Sequence, residues 1–145
     1  MQEEDKEHLF VYGTLKSDMN NDMYHLLAKN ARFIDDAAWN GKLYQVEDYP
    51  GAVPSNNPLD KISGELYTLN NPEKILPALD EYEECSDKFP EPTLFKRIKG
   101  DVKTLSDKGK IVKTWIYIYN LPVDNLEQIK SGNFTPVKKI TLKKS

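Results

Sequence analysis

Five stretches of the chain carry the hydrophobic pattern of β-strands. Alternating or continuous apolar side chains over a short stretch, bounded by Gly, Pro, Asn or Asp, are typical of strands. The predicted strands span residues 9–12, 42–46, 62–69, 94–104 and 111–119. In the last of these, apolar side chains occupy both faces, which indicates a central strand or a barrel strand.

The segments between these strands predict loops, turns and few helices. Residues 49–54 are rich in Pro and Gly and are predicted to form a loop, and residues 106–109 carry the composition of a tight turn. Hairpin-type connections between strands favour a mostly antiparallel sheet over a doubly wound one. The fold class predicted from the pattern is therefore α+β.

A first helix is predicted near the start of the chain. Residues 20–22 (Asn-Asn-Asp) suit the N-cap, because their short polar side chains can accept bonds from the free amides of a first turn. The apolar residues that follow, Met23, Leu26 and Leu27, have the spacing of one helical face.

A second helix is predicted over residues 71–84, with Asn71 as its N-cap and Pro72 at its first position. Pro77 lies inside it and weakens its backbone bonding. At about 100° per residue, five side chains fall within one arc of roughly 120°. The five are Ile75, Leu76, Leu79, Tyr82 and Glu83.

Glu83 is the acid of this helix that shares the apolar face, because the other four fall outside the arc. A carboxylate held against a core must be paired, or its pKa rises toward neutral. A carboxyl tuned in that way suits proton transfer. The alternative is that Glu83 lies at the edge of the face and reaches water with its head.

A second candidate feature is the segment Tyr12-Gly13-Thr14-Leu15 at the end of the first predicted strand. A glycine at this point lets the backbone turn sharply and leaves the following N–H groups without ladder partners. Such free amides can bind a carboxylate or another small anion. The alternative is an ordinary turn, and the segment lacks the second glycine and the Lys-Ser/Thr pair of a P-loop.

The 145 residues predict one domain, residues 1–145, with frayed ends at 1–7 and 142–145. The composition, 39% hydrophobic and 30% charged, is that of an ordinary globular protein. A net charge of −3 argues against general nucleic-acid binding, which favours a basic surface.

Cysteine and histidine are too few for a disulfide framework or a His-based zinc site. Cys85 is the only cysteine, and His8 and His25 are the only histidines. We find neither a transmembrane run nor the basic and apolar regions of a signal peptide. The sequence therefore predicts a cytoplasmic protein with no metal, no membrane partner and an unspecified oligomeric state.

Four short motifs occur in a fixed order along residues 8 to 121. They are Phe10-Val11-Tyr12-Gly13-Thr14-Leu15, Gly64-Glu65-Leu66-Tyr67, Leu79-Asp80-Glu81-Tyr82-Glu83 and Trp115-Ile116-Tyr117. Together they resemble the gamma-glutamylcyclotransferase-like family, especially its gamma-glutamylamine cyclotransferase branch. The resemblance implies a small, mixed β-barrel with a few peripheral helices.

The resemblance also implies a reaction and a set of site residues. The reaction is cofactor-free: a gamma-glutamyl amide cyclises to 5-oxoproline and releases an amine or an amino acid. The family's catalytic glutamate corresponds to Glu83. Its turn that binds the substrate carboxylate through backbone amides corresponds to Tyr12, Gly13, Thr14 and Leu15.

Further residues are expected near this site. Tyr119 and Tyr117 either line the pocket with a hydroxyl toward the substrate or are core aromatics with solvated tips. We expect Arg97 to pair with an acid of the second helix, with direct substrate contact as the alternative. The loops 49–58 and 85–92 are the expected sources of leaving-group selectivity.

Three other functional classes remain open at the level of sequence. A metabolite-binding domain would keep the pocket without turnover, but it would not need an acid at Glu83. An amide hydrolase would use the same carboxylate to activate water and would release glutamate. A protein-interaction module is the third, although the sequence has no exposed apolar stripe that would support it.

Overall fold

The computed structural model describes residues 7–12, 22–46, 49–83, 91–106 and 109–132. Within these ranges the chain forms seven strands and two helices. In chain order they are β1 (His8–Val11), α1 (Asp22–Asn30), β2 (Ala31–Gln45), β3 (Pro50–Pro54), β4 (Lys61–Leu69), α2 (Pro72–Tyr82), β5 (Phe95–Thr104), β6 (Ile111–Tyr119) and β7 (Glu127–Gln128).

Five of the strands close into a barrel. They are hydrogen-bonded in the order β2-β4-β1-β6-β5, and β5 pairs again with β2. The pair of β1 and β6 is parallel, and the other pairs are antiparallel. β3 and β7 add to the far half of β2. The predicted fold class, a mostly antiparallel barrel with peripheral helices, is confirmed.

Two hydrophobic clusters follow from the alternation of side chains along the strands. The barrel core contains no helix residues: Phe10, Tyr12, Ala37, Trp39, Leu43, Ala52, Ile62, Leu66, Val102, Ile116 and Ile118. The helix-facing core joins the outer face of the barrel to both helices: Leu9, Val11, Leu27, Tyr67, Leu69, Ile75, Leu76, Leu79, Phe95, Tyr117 and Tyr119. β6 contributes to both clusters, which confirms the prediction of a central strand.

Two strand predictions need correction. β2 is 15 residues long, and the predicted strand 42–46 covers only its last four residues and Val46 beyond its end. The earlier part of β2 pairs with β4 from Ala31 to Asn40. The predicted loop over residues 49–54 is largely strand β3, which pairs only with β2. Prolines at both ends of β3 are tolerated because β3 is an edge strand.

The second helix also differs from its prediction. α2 ends at Tyr82, so Glu83 is its C-cap rather than part of its last turn, and Asn71 makes no side-chain capping bond. Ile75, Leu76 and Leu79 are buried as predicted, but Tyr82 is 40% exposed. The helix is thus two residues shorter than the periodicity indicates at its C-terminal end.

Other local predictions are borne out or fall outside the described residues. α1 buries Leu27 as expected, whereas residues 20 and 21 and the side chain of Met23 are not described. The turn after β5 is present: Gly109 has φ +70° and donates its N–H to the Ser106 carbonyl at 3.1 Å. Neither helix is long and apolar enough to cross a membrane, as far as the described ranges extend.

We expect Thr68→Val to raise the free energy of unfolding by about 1 kcal/mol, since a buried hydroxyl without a hydrogen bond costs about 1–3 kcal/mol. Thr68 on β4 is 1% exposed, and its Oγ1 has no partner among the described residues. Valine keeps the shape and the β-branched stem while removing the oxygen. Urea denaturation of both proteins measures the difference.

The matched control is Thr104→Val, which has the opposite expected sign. Thr104 Oγ1 donates to the Ser106 and Lys110 carbonyls at 3.2 and 3.3 Å and accepts the Lys110 N–H at 2.9 Å. This variant should lose about 1–2 kcal/mol because it leaves the Lys110 N–H without its partner. Equal losses in both variants would contradict the assignment of Thr68 as unsatisfied.

Candidate active site

Tyr12 directly follows β1, and its side chain belongs to the barrel core. Its hydroxyl donates to the Tyr117 carbonyl at 2.5 Å and accepts the Ala52 N–H at 3.2 Å. One phenol therefore connects the end of β1 to β6 and β3. Because both hydrogen-bonding directions are already used within the fold, a substrate contact by Tyr12 would have to come from its backbone.

The phenol of Tyr12 is also electrostatically linked to Glu83. Burial is the largest cause that raises the pKa of Tyr12 far above its usual range, and the negative charge of Glu83 raises it further. The hydrogen bond from the Ala52 amide opposes both effects. Tyr12 therefore stays protonated and neutral, and Glu83 lies near enough for its charge to act on the buried phenol.

Glu83 takes its position from the end of α2. Its backbone N–H donates to the Leu79 carbonyl at 2.8 Å, and its φ and ψ of −86° and 3° stop the helix there. Leu79, one turn earlier, is fully buried against the barrel. The backbone of Glu83 is thus anchored to a core residue, while the Glu83 side chain is half-buried at the edge of the helix-facing core.

Gly13, Thr14 and Leu15 lie outside the described residues, so the predicted anion-binding turn stays a prediction. The strand leading to it is closely packed. A Cβ added at Gly64 on β4 would lie 2.3 Å from the Val11 carbonyl oxygen and 2.7 Å from Phe10 Cζ. This close approach gives a physical reason for the glycine in the Gly64-Glu65-Leu66-Tyr67 motif, because only glycine fits beside the last residues of β1.

Tyr119 lies at the end of β6 in an aromatic cluster. Its ring meets Phe95 edge-on with 5.7 Å between centroids, and Phe95 is 6.1 Å from Tyr49. Tyr119 is 9% exposed. Its ring therefore lies in the core, which was the alternative to a pocket-lining position. Its hydroxyl makes no hydrogen bond to the part of the chain that the structure describes.

The Tyr117 hydroxyl is hydrogen-bonded to an acid of α2. Its hydroxyl donates to Asp80 Oδ1 at 2.7 Å, and Arg97 binds the same carboxylate through Nε and Nη2 at 2.8 and 3.0 Å. The expectation that Arg97 pairs with a helix acid is confirmed. Asp80 falls outside the apolar arc of the predicted helix, but its side chain is only 18% exposed, and the sequence pattern did not predict this burial. The helical wheel missed it because its partner comes 17 residues later in the sequence.

Within the described ranges, no three His, Cys, Asp or Glu side chains gather as a metal-ion site. His25 is exposed on α1. Cys85 lies outside the described residues. The structure therefore relates the Glu83 carboxylate to the Tyr12 phenol, and it binds the Tyr117 hydroxyl to a second carboxylate, Asp80.

The family model "Gamma-glutamyl cyclotransferase, AIG2-like" matches residues 9–136 of the chain. This range includes all four ordered motifs and every strand of the barrel except the first residue of β1. The chain belongs to this family, and the predicted family resemblance is confirmed.

Individual relatives agree with this assignment. The gamma-glutamylcyclotransferase family protein YtfP of Escherichia coli is 29% identical over 127 residues, which cover 87% of this chain and 94% of YtfP. Gamma-glutamylaminecyclotransferase of Bos taurus is 28% identical over 102 residues, 63% of this chain and 57% of that protein. The crystal structure of a mouse AIG2-like protein matches with TM-score 0.70 at 22% identity, covering 90% and 88% of the two chains.

We expect Tyr12→Phe to lower the free energy of unfolding by about 1–3 kcal/mol, because it removes the hydroxyl from a buried carbonyl and a buried amide. Chemical denaturation measures the loss. The control is Tyr44→Phe on β2, since the Tyr44 hydroxyl bonds to none of the described residues, and this variant should stay within about 0.5 kcal/mol of the parent. Equal effects in the two variants would argue against the structural role of the Tyr12 hydroxyl.

We expect Gly51→Ala to be destabilising by about 1–3 kcal/mol, the usual cost of overpacking a core. The added Cβ would lie 2.8 and 2.9 Å from Tyr119 Cβ and Cγ. Tyr119 Cβ is attached directly to the β6 backbone, so no rotation of the side chain moves it away. Gly100→Ala is the control, since its Cβ would meet only the ends of side chains, Ile116 Cδ1 at 3.0 Å and Trp39 Nε1 at 3.1 Å. Thermal unfolding that ranks Gly100→Ala as the worse variant would contradict this packing.

Proposed function

We propose that the chain is a gamma-glutamyl cyclotransferase that cleaves a gamma-glutamyl amide by intramolecular aminolysis. Glu83 acts as general base and then as general acid. The observation that carries the proposal is the position of Glu83: a carboxylate at the end of α2, acting electrostatically on the residue that leads into Gly13, Thr14 and Leu15. The family membership and the names of the relatives supply the reaction class.

The reaction needs only proton transfers and a fixed conformer. The α-amine of the glutamyl group attacks its own γ-carbonyl carbon, a C–N bond forms, and the five-membered ring closes. The amide C–N bond then breaks and the amine leaves with a proton. Holding the two groups together supplies an effective molarity of up to ~10⁵–10⁸ M.

Glu83 accounts for the proton movements in this proposal. Its carboxylate takes a proton from the attacking ammonium and delivers one to the departing nitrogen, so the residue ends the cycle ionised. Such general acid–base catalysis contributes typically ~10²–10⁴-fold. The predicted rise in the pKa of Glu83 is part of the proposal, because a carboxyl nearer neutral pH accepts the ammonium proton more readily. The proposal includes neither a metal nor a cofactor.

The substrate's α-carboxylate is assigned to the backbone amides of Gly13, Thr14 and Leu15, with Tyr12 as the residue that fixes the start of this segment. Free amides after a strand can bind a carboxylate and can also stabilise a developing oxyanion. Tyr12 supports this role because its side chain is bonded to two other strands. Tyr119 is assigned as a hydroxyl donor to the substrate, since its hydroxyl bonds to no described residue.

We expect folded Glu83→Gln to lose at least about 100-fold in kcat, because glutamine keeps the size but cannot exchange a proton. Purified parent and variant are incubated with gamma-glutamyl dipeptides, gamma-glutamyl-ε-lysine and glutathione. Mass spectrometry of 5-oxoproline and of the released amine measures turnover. The panel ranks the leaving groups at the same time.

The matched control is Glu81→Gln, which removes an exposed acid two residues earlier and should keep the parent's turnover. Full turnover by Glu83→Gln would overturn the role of Glu83. Release of glutamate in place of 5-oxoproline would favour the amide hydrolase. Thermal protection by a gamma-glutamyl compound without any turnover would favour the binding domain.

A further inference from the structure

A hydrogen-bonded unit between α2 and the barrel is formed by Asp80, Arg97 and Tyr117. The mechanism proposed for Glu83 gives these three residues no role. Arg97 donates one hydrogen bond to each carboxylate oxygen of Asp80, at 2.8 and 3.0 Å, and the Tyr117 hydroxyl donates to one of these oxygens at 2.7 Å. The Arg97 and Asp80 side chains are 23% and 18% exposed. A two-pronged, partly buried pair of this kind fixes an orientation as well as a distance.

The Arg97 side chain is itself held from the other side. Its guanidinium carbon lies 4.3 Å from the centre of the Trp115 ring, a cation–π contact. The Trp115 indole N–H donates to Glu7 Oε1 at 2.7 Å. The carboxylate of Asp80 is therefore bound to groups on β5 and β6 that have little freedom to follow a shift of the helix.

The position of Asp80 on the helix explains why this unit matters locally. The C-terminal end of a helix carries partial negative charge, which disfavours an acid there. The last turn of α2 has no basic residue, and Pro77 removes one bond from the helix ladder. Contacts with Arg97 and Tyr117 offset this local cost, so the last turn of α2 depends on the barrel for its order.

Glu83 directly follows that last turn, as the C-cap of α2. Residues three apart lie side by side on a helix surface, about 5–6 Å between Cβ atoms. Glu83 follows Asp80 by three residues, and its backbone N–H is bonded to the Leu79 carbonyl at 2.8 Å. Holding Asp80 thus holds the peptide that carries Glu83.

We propose that Asp80, Arg97 and Tyr117 are positioning residues that fix the end of α2 so that the Glu83 carboxylate stays aimed at the reacting atoms. The proposal rests on the proposed function of Glu83. The three residues touch neither substrate nor reacting atoms in this role. They set the geometry of the residue that does, and small misplacements of a catalytic group are costly.

The kinetic test uses Tyr117→Phe, which removes one oxygen and keeps the buried ring, and Arg97→Gln. We expect kcat to fall on the order of 10- to 100-fold while KM stays within about threefold, measured well below the unfolding midpoint of each variant. Arg97→Lys should recover only part of the lost kcat, since an ammonium group keeps the positive charge but cannot donate two parallel hydrogen bonds to the Asp80 carboxylate. If the substitutions changed only the stability of the protein, the unfolding temperature would fall while kcat and KM stayed the same.

The matched control is Lys113→Gln, which breaks the exposed Lys113–Asp101 ion pair of 3.2 Å on the same two strands. It should leave kcat and KM unchanged. Unchanged kcat in both Tyr117→Phe and Arg97→Gln would overturn the positioning role.

Amide hydrogen exchange tests the same proposal without any substrate. In Arg97→Gln and Tyr117→Phe the Glu83 amide should exchange at least about tenfold faster, because local fraying exposes it, while amides at the centre of β6 keep their protection. Uniform acceleration of all amides, or none at Glu83, would overturn the proposal. This readout separates the two failures: absent turnover in the parent refutes the proposed function, and unchanged exchange at Glu83 refutes the positioning unit.

Discussion

β2 hydrogen-bonds to β4 on one side and to β5 on the other, and this double pairing closes the sheet into a barrel. It joins β4 along most of its first half and meets β5 at Ala37, Ala38 and Trp39. Closure divides each strand into an inner and an outer face, because successive side chains alternate. The inner faces fill the barrel, and the outer faces of β1, β4, β5 and β6 receive the helices. The two hydrophobic cores and the site between them all depend on this closure.

The candidate site lies where the two cores meet. Tyr12 reaches it from inside the barrel, and Glu83 reaches it from the helix packed outside. Of the three tyrosine hydroxyls described above, those of Tyr12 and Tyr117 bond to the protein itself, and that of Tyr119 bonds to no described residue. Two of the three phenols therefore hold strands and a helix together, and the proposed proton transfers are assigned to the Glu83 carboxylate.

Local pattern predicted the parts of this fold that depend on local forces. β4, β5 and β6 match the predicted strands to within one residue, because each alternates over a continuous run. The first half of β2 was missed because Asp35, Asp36 and the following small residues conceal its alternation. The ordered motifs predict Glu83 and Tyr12 as site residues. Three features could not be predicted from the periodicity of any single segment, because they join residues far apart in the sequence. They are the pairing of Asp80 with Arg97, the parallel pairing of β1 with β6, and the closure of the barrel.

The parallel pairing of β1 and β6 has a consequence for how the chain folds as it is made. The Tyr12 hydroxyl bonds to the Tyr117 carbonyl across 105 residues of sequence. β1 therefore leaves the ribosome long before its neighbour exists, and contacts of such large separation form late. Until β6 is available, the nascent chain has an open sheet with an unpaired β1 edge. The Tyr12–Tyr117 bond forms in the same step that joins β1 to β6, so burial of this phenol would report the closure of the barrel.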